Sequence, residues 1–215
     1  MQILASRRQR HASGHRYLRC RSLVLLAVIL LAAGGAAWAG VTATPASTSA
    51  TSATAKPVVA AEYQIKAVFL FNFTKYVDWP ASAFADAQAP FVIGILGDDP
   101  FGSALDDTVR GEKVDGRPLV IQRYSSWQDI KDCQILYISQ SKSAELARIF
   151  AGIKGRSILT VGDADNFTDQ GGMIWLVTEN SKIRLKINLD PVKAANLTIS
   201  SSLLRAAEVT GRPKE

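Results

Sequence analysis

Histidine is absent from every position after residue 15, and after Cys20 the chain holds a single cysteine, Cys133. His11 and His15 sit among Arg7, Arg8, Arg10, Arg16, Arg19 and Arg21, ahead of an apolar run from Leu23 to Ala33 that ends in Ala37-Trp38-Ala39. A basic start, a short apolar middle and small residues at the minus-three and minus-one positions of a cut after Ala39 form the layout of a cleavable secretory signal peptide, expected over residues 1–39. The apolar stretch is shorter than the roughly 20 residues a membrane span needs, which favours cleavage over retention as an anchor and places the product in the periplasm. The exported chain then has no histidine, so Ser-His-Asp and Cys-His nucleophile activation are excluded and the usual zinc and haem ligands are gone. Cys133 has no internal disulfide partner even where oxidation is permitted. Beside Ile135-Leu136-Tyr137-Ile138 it reads as a small buried apolar side chain, with an intermolecular thiol as the alternative. No cysteine stands directly after the cut, where Gly40 is found, which also excludes a lipoprotein anchor.

Excess positive charge disappears with the leader. The six arginines leave 19 basic residues to face 19 acidic ones, because residues 1–39 hold no Asp or Glu. The formal charge of +6 and the pI near 9.4 therefore say nothing about a nucleic-acid partner, and none is expected. Hydrophobic periodicity is missing from Val41 to Lys56, a stretch rich in Thr, Ser and Ala, so residues 40–57 are expected to form a flexible linker before one domain over residues 58–215.

What remains has strong patterns. Ile65, Phe69, Phe73 and Tyr76 recur at helical spacing and predict a helix over Glu62 to Trp79, stopped by Pro80, with that stripe toward the core. The same wheel puts Phe71 on the polar side with Gln64, Lys75 and Asp78. Two readings follow: a helix covered on both sides, or a docking surface formed by Phe71 with Val68 and Trp79. The continuous apolar run Phe91 to Leu96 predicts a strand buried on both faces, and Gly97-Asp98-Asp99-Pro100 predicts the cap of a helix reaching Val109. Further strands are expected at Pro118–Arg123, Gln134–Ser139 and Ser157–Val161, with a helix over Ser143–Ile153 ended by Gly155. Met173–Thr178, the turn Glu179-Asn180-Ser181 and the alternation of Ile183, Leu185 and Ile187 with Lys182, Arg184 and Lys186 predict an antiparallel hairpin at the sheet edge. A helix from Ser201 to Val209 ends the domain. The fold class is α/β: a three-layer sandwich with a mostly parallel sheet and a C-terminal antiparallel hairpin.

Motifs for chemistry are weak. Gly97 to Gly102 follows a strand and opens a helix, but lacks the Lys-Ser or Lys-Thr that holds nucleotide phosphates and magnesium. Asp163, Asp165, Asn166 and Asp169 suggest a calcium loop, yet read from Asp163 the motif meets Phe167, Thr168 and Ile174 where it needs an oxygen ligand, Gly and Glu. No metal site is expected. Ser200-Ser201-Ser202 reads as a helix cap, since no Ser-x-x-Lys spacing supplies a base for a serine nucleophile. No catalytic residue and no cofactor are assigned.

The segments Glu62-Tyr63-Gln64-Ile65-Lys66-Ala67-Val68-Phe69-Leu70-Phe71-Asn72-Phe73, Tyr76-Val77-Asp78-Trp79-Pro80, Ile93-Gly94-Ile95-Leu96-Gly97-Asp98-Asp99-Pro100-Phe101-Gly102 and Cys133-Gln134-Ile135-Leu136-Tyr137-Ile138-Ser139 resemble the YfiR family of periplasmic proteins. So do Leu159-Thr160-Val161-Gly162-Asp163, Gly171-Gly172-Met173-Ile174 and Ile199-Ser200-Ser201-Ser202-Leu203-Leu204, in the family's order. The resemblance implies an α/β sandwich, often a homodimer, without catalysis. Its best-described member is a periplasmic repressor of a membrane-bound diguanylate cyclase, itself sequestered by an outer-membrane lipoprotein. By resemblance, the partner is the periplasmic domain of such a cyclase, with the lipoprotein a further partner, and release raises cyclic di-GMP and favours biofilm. That member's disulfide-based redox control does not transfer to a chain with only Cys133. The expected partner-binding residues are Val68, Phe71, Tyr76 and Trp79. The alternative is a small-molecule binder using Asp98, Asp99 and Asp163 at the strand ends, where open α/β sheets take ligands.

Overall fold

In the computed structural model, residues 55–211 are described, and side-chain surroundings from residue 59 onward. The predicted leader and the linker up to residue 54 lie outside these residues. The remainder of the predicted linker is helical, because α1 runs Ala55–Tyr76, with Pro57 tolerated in a first turn whose N–H groups need no intrahelical partner.

Helix α1 ends three residues earlier than its periodicity suggested. Val77–Asp78 form a short strand, β1, paired antiparallel with β9 (Thr198–Ile199), and the Tyr76 carbonyl accepts from the Ser200 N–H at 2.8 Å. This long-range pairing takes the backbone groups before Pro80 can act as the stop.

The main sheet contains β2 (Phe91–Leu96), β3 (Lys113–Val114), β4 (Arg117–Tyr124), β5 (Ile135–Ile138), β6 (Leu159–Gly162), β7 (Ile174–Glu179), β8 (Lys182–Asn188) and β10 (Glu208–Thr210). Its order is β10-β8-β7-β6-β5-β2-β4-β3, with β4, β2, β5, β6 and β7 mutually parallel along the row. Every residue of β2, β5 and β6 is buried, as continuous apolar runs in a parallel centre require. The order of connection reverses between β2 and β5. The predicted hairpin forms, with Asn180 and Ser181 at positive φ in its two-residue turn and Glu179 opposite Lys182. It is not the edge, however: the chain expected to be helical to Val209 leaves α5 (Ser201–Arg205) and pairs as β10, parallel to β8.

Two cores lie on opposite faces of the sheet. On one, Phe91, Ile93, Ile95, Ile135 and Val161 meet Leu70 and Phe73 of α1, Leu105 and Val109 of α2 (Ser103–Val109), Val192 of α4 (Leu189–Ala194) and Leu203 of α5. On the other, Leu96, Leu136 and Ile138 meet Leu146 and Ile149 of α3 (Leu146–Gly152). This is the three-layer α/β arrangement. Cys133 is buried in the second core, with burial pushing its thiol up to about 12. A Cβ on Gly94 would meet its Sγ and the Tyr124 ring at 2.8 Å, so only glycine fits there. Helix α2 starts later than expected: Asp99 Oδ1 accepts from the Phe101 N–H at 2.8 Å, a local turn that delays the first helical residue to Ser103. Ser200 caps α5 as expected, its side chain accepting from the Leu203 N–H.

Candidate functional site: the two sides of the first helix

The inner side of α1 is formed by Lys66, Ala67, Leu70, Phe73 and Thr74, all buried, and is continued by buried Val77 of β1. The stripe predicted to face the core is split by this rotation. Phe73 is fully buried and Phe69 partly so, while Ile65 is 51% and Tyr76 42% exposed, on the outer side with Val68 at 48%. Apolar residues occupy both sides of the helix, so the sequence period alone could not choose between them.

The four residues expected in a docking surface divide accordingly. Val68 and Tyr76 stand in solvent. Phe71 is half-buried against the core, with the Lys75 ammonium 4.2 Å from its ring centroid. Trp79 lies past the helix end, edge-on to Phe91 at 4.9 Å, and its Nε1 donates to the Gln134 carbonyl at 3.1 Å. Phe71 and Trp79 therefore contribute to packing, and Ile65 takes their place beside Val68 and Tyr76 on the open surface. Its apolar character was legible, but its exposure was not.

On the inner side a charged cluster sits at the carboxyl ends of β5 and β6. Lys66 Nζ lies 2.7 Å from Glu62 Oε1 and 2.6 Å from Asp163 Oδ2, with the Lys66 and Asp163 side chains only 3% and 6% exposed. Tyr63 donates its hydroxyl to the same Asp163 oxygen at 2.9 Å, and Thr178 Oγ1 donates to Glu62 Oε1 at 2.7 Å. Burial pushes the Glu62 carboxyl up, but hydrogen bonds from Lys66 and Thr178 and the Lys66 charge outweigh this and hold it below the ordinary carboxylate value. Burial and then the Asp163 charge drive the Tyr63 and Tyr137 hydroxyls well above the usual phenol range. The Tyr137 hydroxyl and Asp163 Oδ1 are buried without a well-formed hydrogen bond, although Tyr137 lies near Asp163 and Tyr63. Lys66 had not been singled out in the sequence, because a lysine inside an apolar helix reads as its solvated face.

The three aspartates of the alternative reading do not converge. Asp163 turns to Lys66 on α1. Asp99 Oδ2 accepts from Arg123 Nε on β4 at 2.7 Å, and Arg123 also bridges to Asp106 of α2 at 2.6 Å. Asp98 is exposed, with its backbone N–H on Ser141 Oγ at 3.0 Å. Two carboxylates are thus engaged by cations of this chain, on different sides of the strand ends. A cleft of about 430 Å³ lies elsewhere, at the C-terminal end of α1, lined by Lys75, Asp78, Trp79, Phe84, Lys113 and Arg117 among others. Arg117 is committed within it, donating to the Asp86 and Ala89 carbonyls and covering the Phe84 ring at 4.0 Å. Among the described residues no group of three or more His, Cys, Asp or Glu could hold a metal, and no helix is long and apolar enough to cross a membrane.

Compared with known proteins, the chain matches the YfiR/HmsC-like family over residues 63–208, from within α1 to the start of β10. The chain belongs to the YfiR/HmsC-like family. No curated protein matches it. Among solved structures, a conserved domain protein from Vibrio cholerae O1 biovar eltor str. N16961 is similar at 11% identity and a TM-score of 0.45, over 69% of this chain and 60% of that one. That likeness is too loose to carry function. The family match takes in Tyr63, Lys66 and Asp163 of the buried cluster, though not Glu62, and the exposed Ile65, Val68 and Tyr76.

Proposed function

We propose that this YfiR/HmsC-like protein is a non-enzymatic periplasmic regulator that binds the periplasmic sensor part of a membrane-bound diguanylate cyclase and represses it, lowering cyclic di-GMP. Family membership supports regulation of diguanylate cyclase signalling, and the observation that carries the docking step is the outer side of α1. Three large apolar side chains, Ile65, Val68 and Tyr76, stand about half exposed on one helix within a single family-matched segment. Large apolar side chains left exposed along one side of a helix are the kind of surface that a partner can cover. Docking there leaves the core residues in place, so recognition and folding are separable. Ile65, Val68 and Tyr76 are the contact residues, with Phe71 packed against the core and Trp79 packed on Phe91 past the helix end. An outer-membrane lipoprotein competing for the same surface, or a second copy of the chain covering it, would relieve the repression.

The test is intracellular cyclic di-GMP in a deletion strain complemented with the intact protein or with Ile65→Ser/Val68→Ser. Deletion raises cyclic di-GMP, the intact protein restores it, and the double variant, folded and exported, does not. No rise on deletion overturns the cyclase reading. The alternative, a small-molecule binder, is favoured by the cleft beside Trp79 and Arg117 rather than by the strand-end aspartates, two of which are already paired. A metabolite that raises the melting temperature of the wild type, but not of Lys113→Ala, would favour it, since a ligand of the native state alone must stabilise it.

A further inference from the structure

The N-terminal half of α1 is held to the sheet by very little. From Val59 to Ile65 no side chain is buried, and the first buried residues are Lys66 and Ala67. Over that span the attachments are the Tyr63 ring edge-on to Phe101 at 5.5 Å, the Thr178–Glu62 hydrogen bond, and the contacts of Tyr63 and Lys66 with Asp163. Beyond Lys66 the anchorage changes character, with Ala67, Leu70 and Phe73 each 0% exposed.

The charged part of this attachment is finely balanced. Burying Lys66 and Asp163 strips both of water, a cost that their mutual attraction offsets only when every remaining polar atom is satisfied. Here Asp163 Oδ1 and the Tyr137 hydroxyl are not. Lifting the helix end would return Glu62, Tyr63, Lys66 and Asp163 to water, whereas lifting the helix beyond Ala67 would expose the core.

We propose that residues Val59–Lys66 open from the sheet as a unit about a hinge near Ala67, and that the buried Lys66–Asp163 pair, braced by Glu62, is the catch that holds them closed. Opening withdraws Ile65 from the outer apolar surface. It also uncovers the Asp163 carboxylate and the Tyr137 hydroxyl beside Phe101, at the carboxyl ends of β5 and β6, where open α/β sheets take ligands. A primary ammonium or guanidinium group that replaced the Lys66 ammonium on Asp163 would bind the open form alone and shift the population toward it. The catch goes beyond the docking reading and stands without it, because it is a property of the isolated chain.

Hydrogen exchange of the full exported chain, read by mass spectrometry, tests this in four forms: wild type, Lys66→Met, Asp163→Asn, and Lys66→Met/Asp163→Leu. Lys66→Met leaves the buried Asp163 carboxylate without its cation, and Asp163→Asn leaves the Lys66 ammonium with Glu62 alone; both are expected to speed exchange across residues 62–66, Lys66→Met by about tenfold or more, with β2, β5 and β6 unchanged, because so short a segment frays once detached. The double variant, apolar on both sides, restores protection. Faster exchange spread evenly over the sheet, wild-type exchange in both single variants, or a double variant as fast as the singles would each overturn the catch. If a single variant does not fold, the wild type in low urea decides: exchange of residues 62–66 that is insensitive to urea supports local opening, and exchange that rises in step with the sheet overturns it.

Discussion

The inner side of α1 buries a lysine, while its outer side leaves an isoleucine, a valine and a tyrosine half exposed. Hydropathy alone would assign these residues the other way round. What separates the sides is the supply of partners. The inner side meets Asp163 and Glu62 for its one charge and the β2, β5 and β6 side chains for the rest, whereas the outer side meets solvent along Ile65, Val68 and Tyr76. A buried charge persists where its partner is fixed by the sheet, and an exposed apolar side chain persists where no sheet lies beneath it.

The largest effect that would sharpen this contrast is loss of Phe73 from the inner side. Phe73→Ala should cost about 3–5 kcal/mol by chemical denaturation, since the ring is fully buried and its cavity cannot collapse between helix and sheet. A cost below about 1 kcal/mol would mean that the helix does not seat as described.

The inner charge pair comes next. Lys66→Met and Asp163→Leu should each destabilise, and the double variant by less than their sum, with a coupling of about 1–3 kcal/mol in a double-mutant cycle. Additive losses would show that the two side chains act independently.

A smaller effect is the acid limb of stability. The Glu62 carboxyl is held below its ordinary value of 4.5 in the folded chain, so its contribution is fully present above that value and is lost as pH falls through the lower folded value. The thermal midpoint of the wild type should therefore drop more steeply below the ordinary carboxylate range than that of Glu62→Gln. Parallel curves would remove Glu62 from the cluster's energetics.

The smallest effect belongs to the outer side. Ile65→Ser and Val68→Ser should change stability by no more than about 0.5 kcal/mol, as surface substitutions usually do. Their consequence is expected in cyclic di-GMP output instead. A large stability loss would break the comparison by showing that the outer side is packed after all.

Much of the fold was legible because its signals are local. Phe91–Leu96 is apolar without interruption and forms the fully buried β2, and Ile183, Leu185 and Ile187 alternate with cations and form β8. The elements that escaped notice, β1, β9 and β10, have two or three residues each and exist only because a distant segment pairs with them. Exposure along α1 was only partly legible for a related reason. Val68 is exposed, and so is Tyr76, which the wheel had put in the core-facing stripe, whereas Phe71 is drawn against the core and Trp79 reaches Phe91 and Gln134 from beyond the helix end. Lys66 carried no signal, since nothing in its neighbourhood along the chain shows that Asp163, ninety-seven positions away, will meet it at 2.6 Å.

The sequence by itself determined the strand–helix alternation and the parallel centre, because composition and period act over a few residues. Only the tertiary structure decided which side of α1 faces the sheet and which of its apolar residues stay exposed. That choice depends on the one rotation that brings Lys66 to Asp163 while Leu70 and Phe73 enter the core.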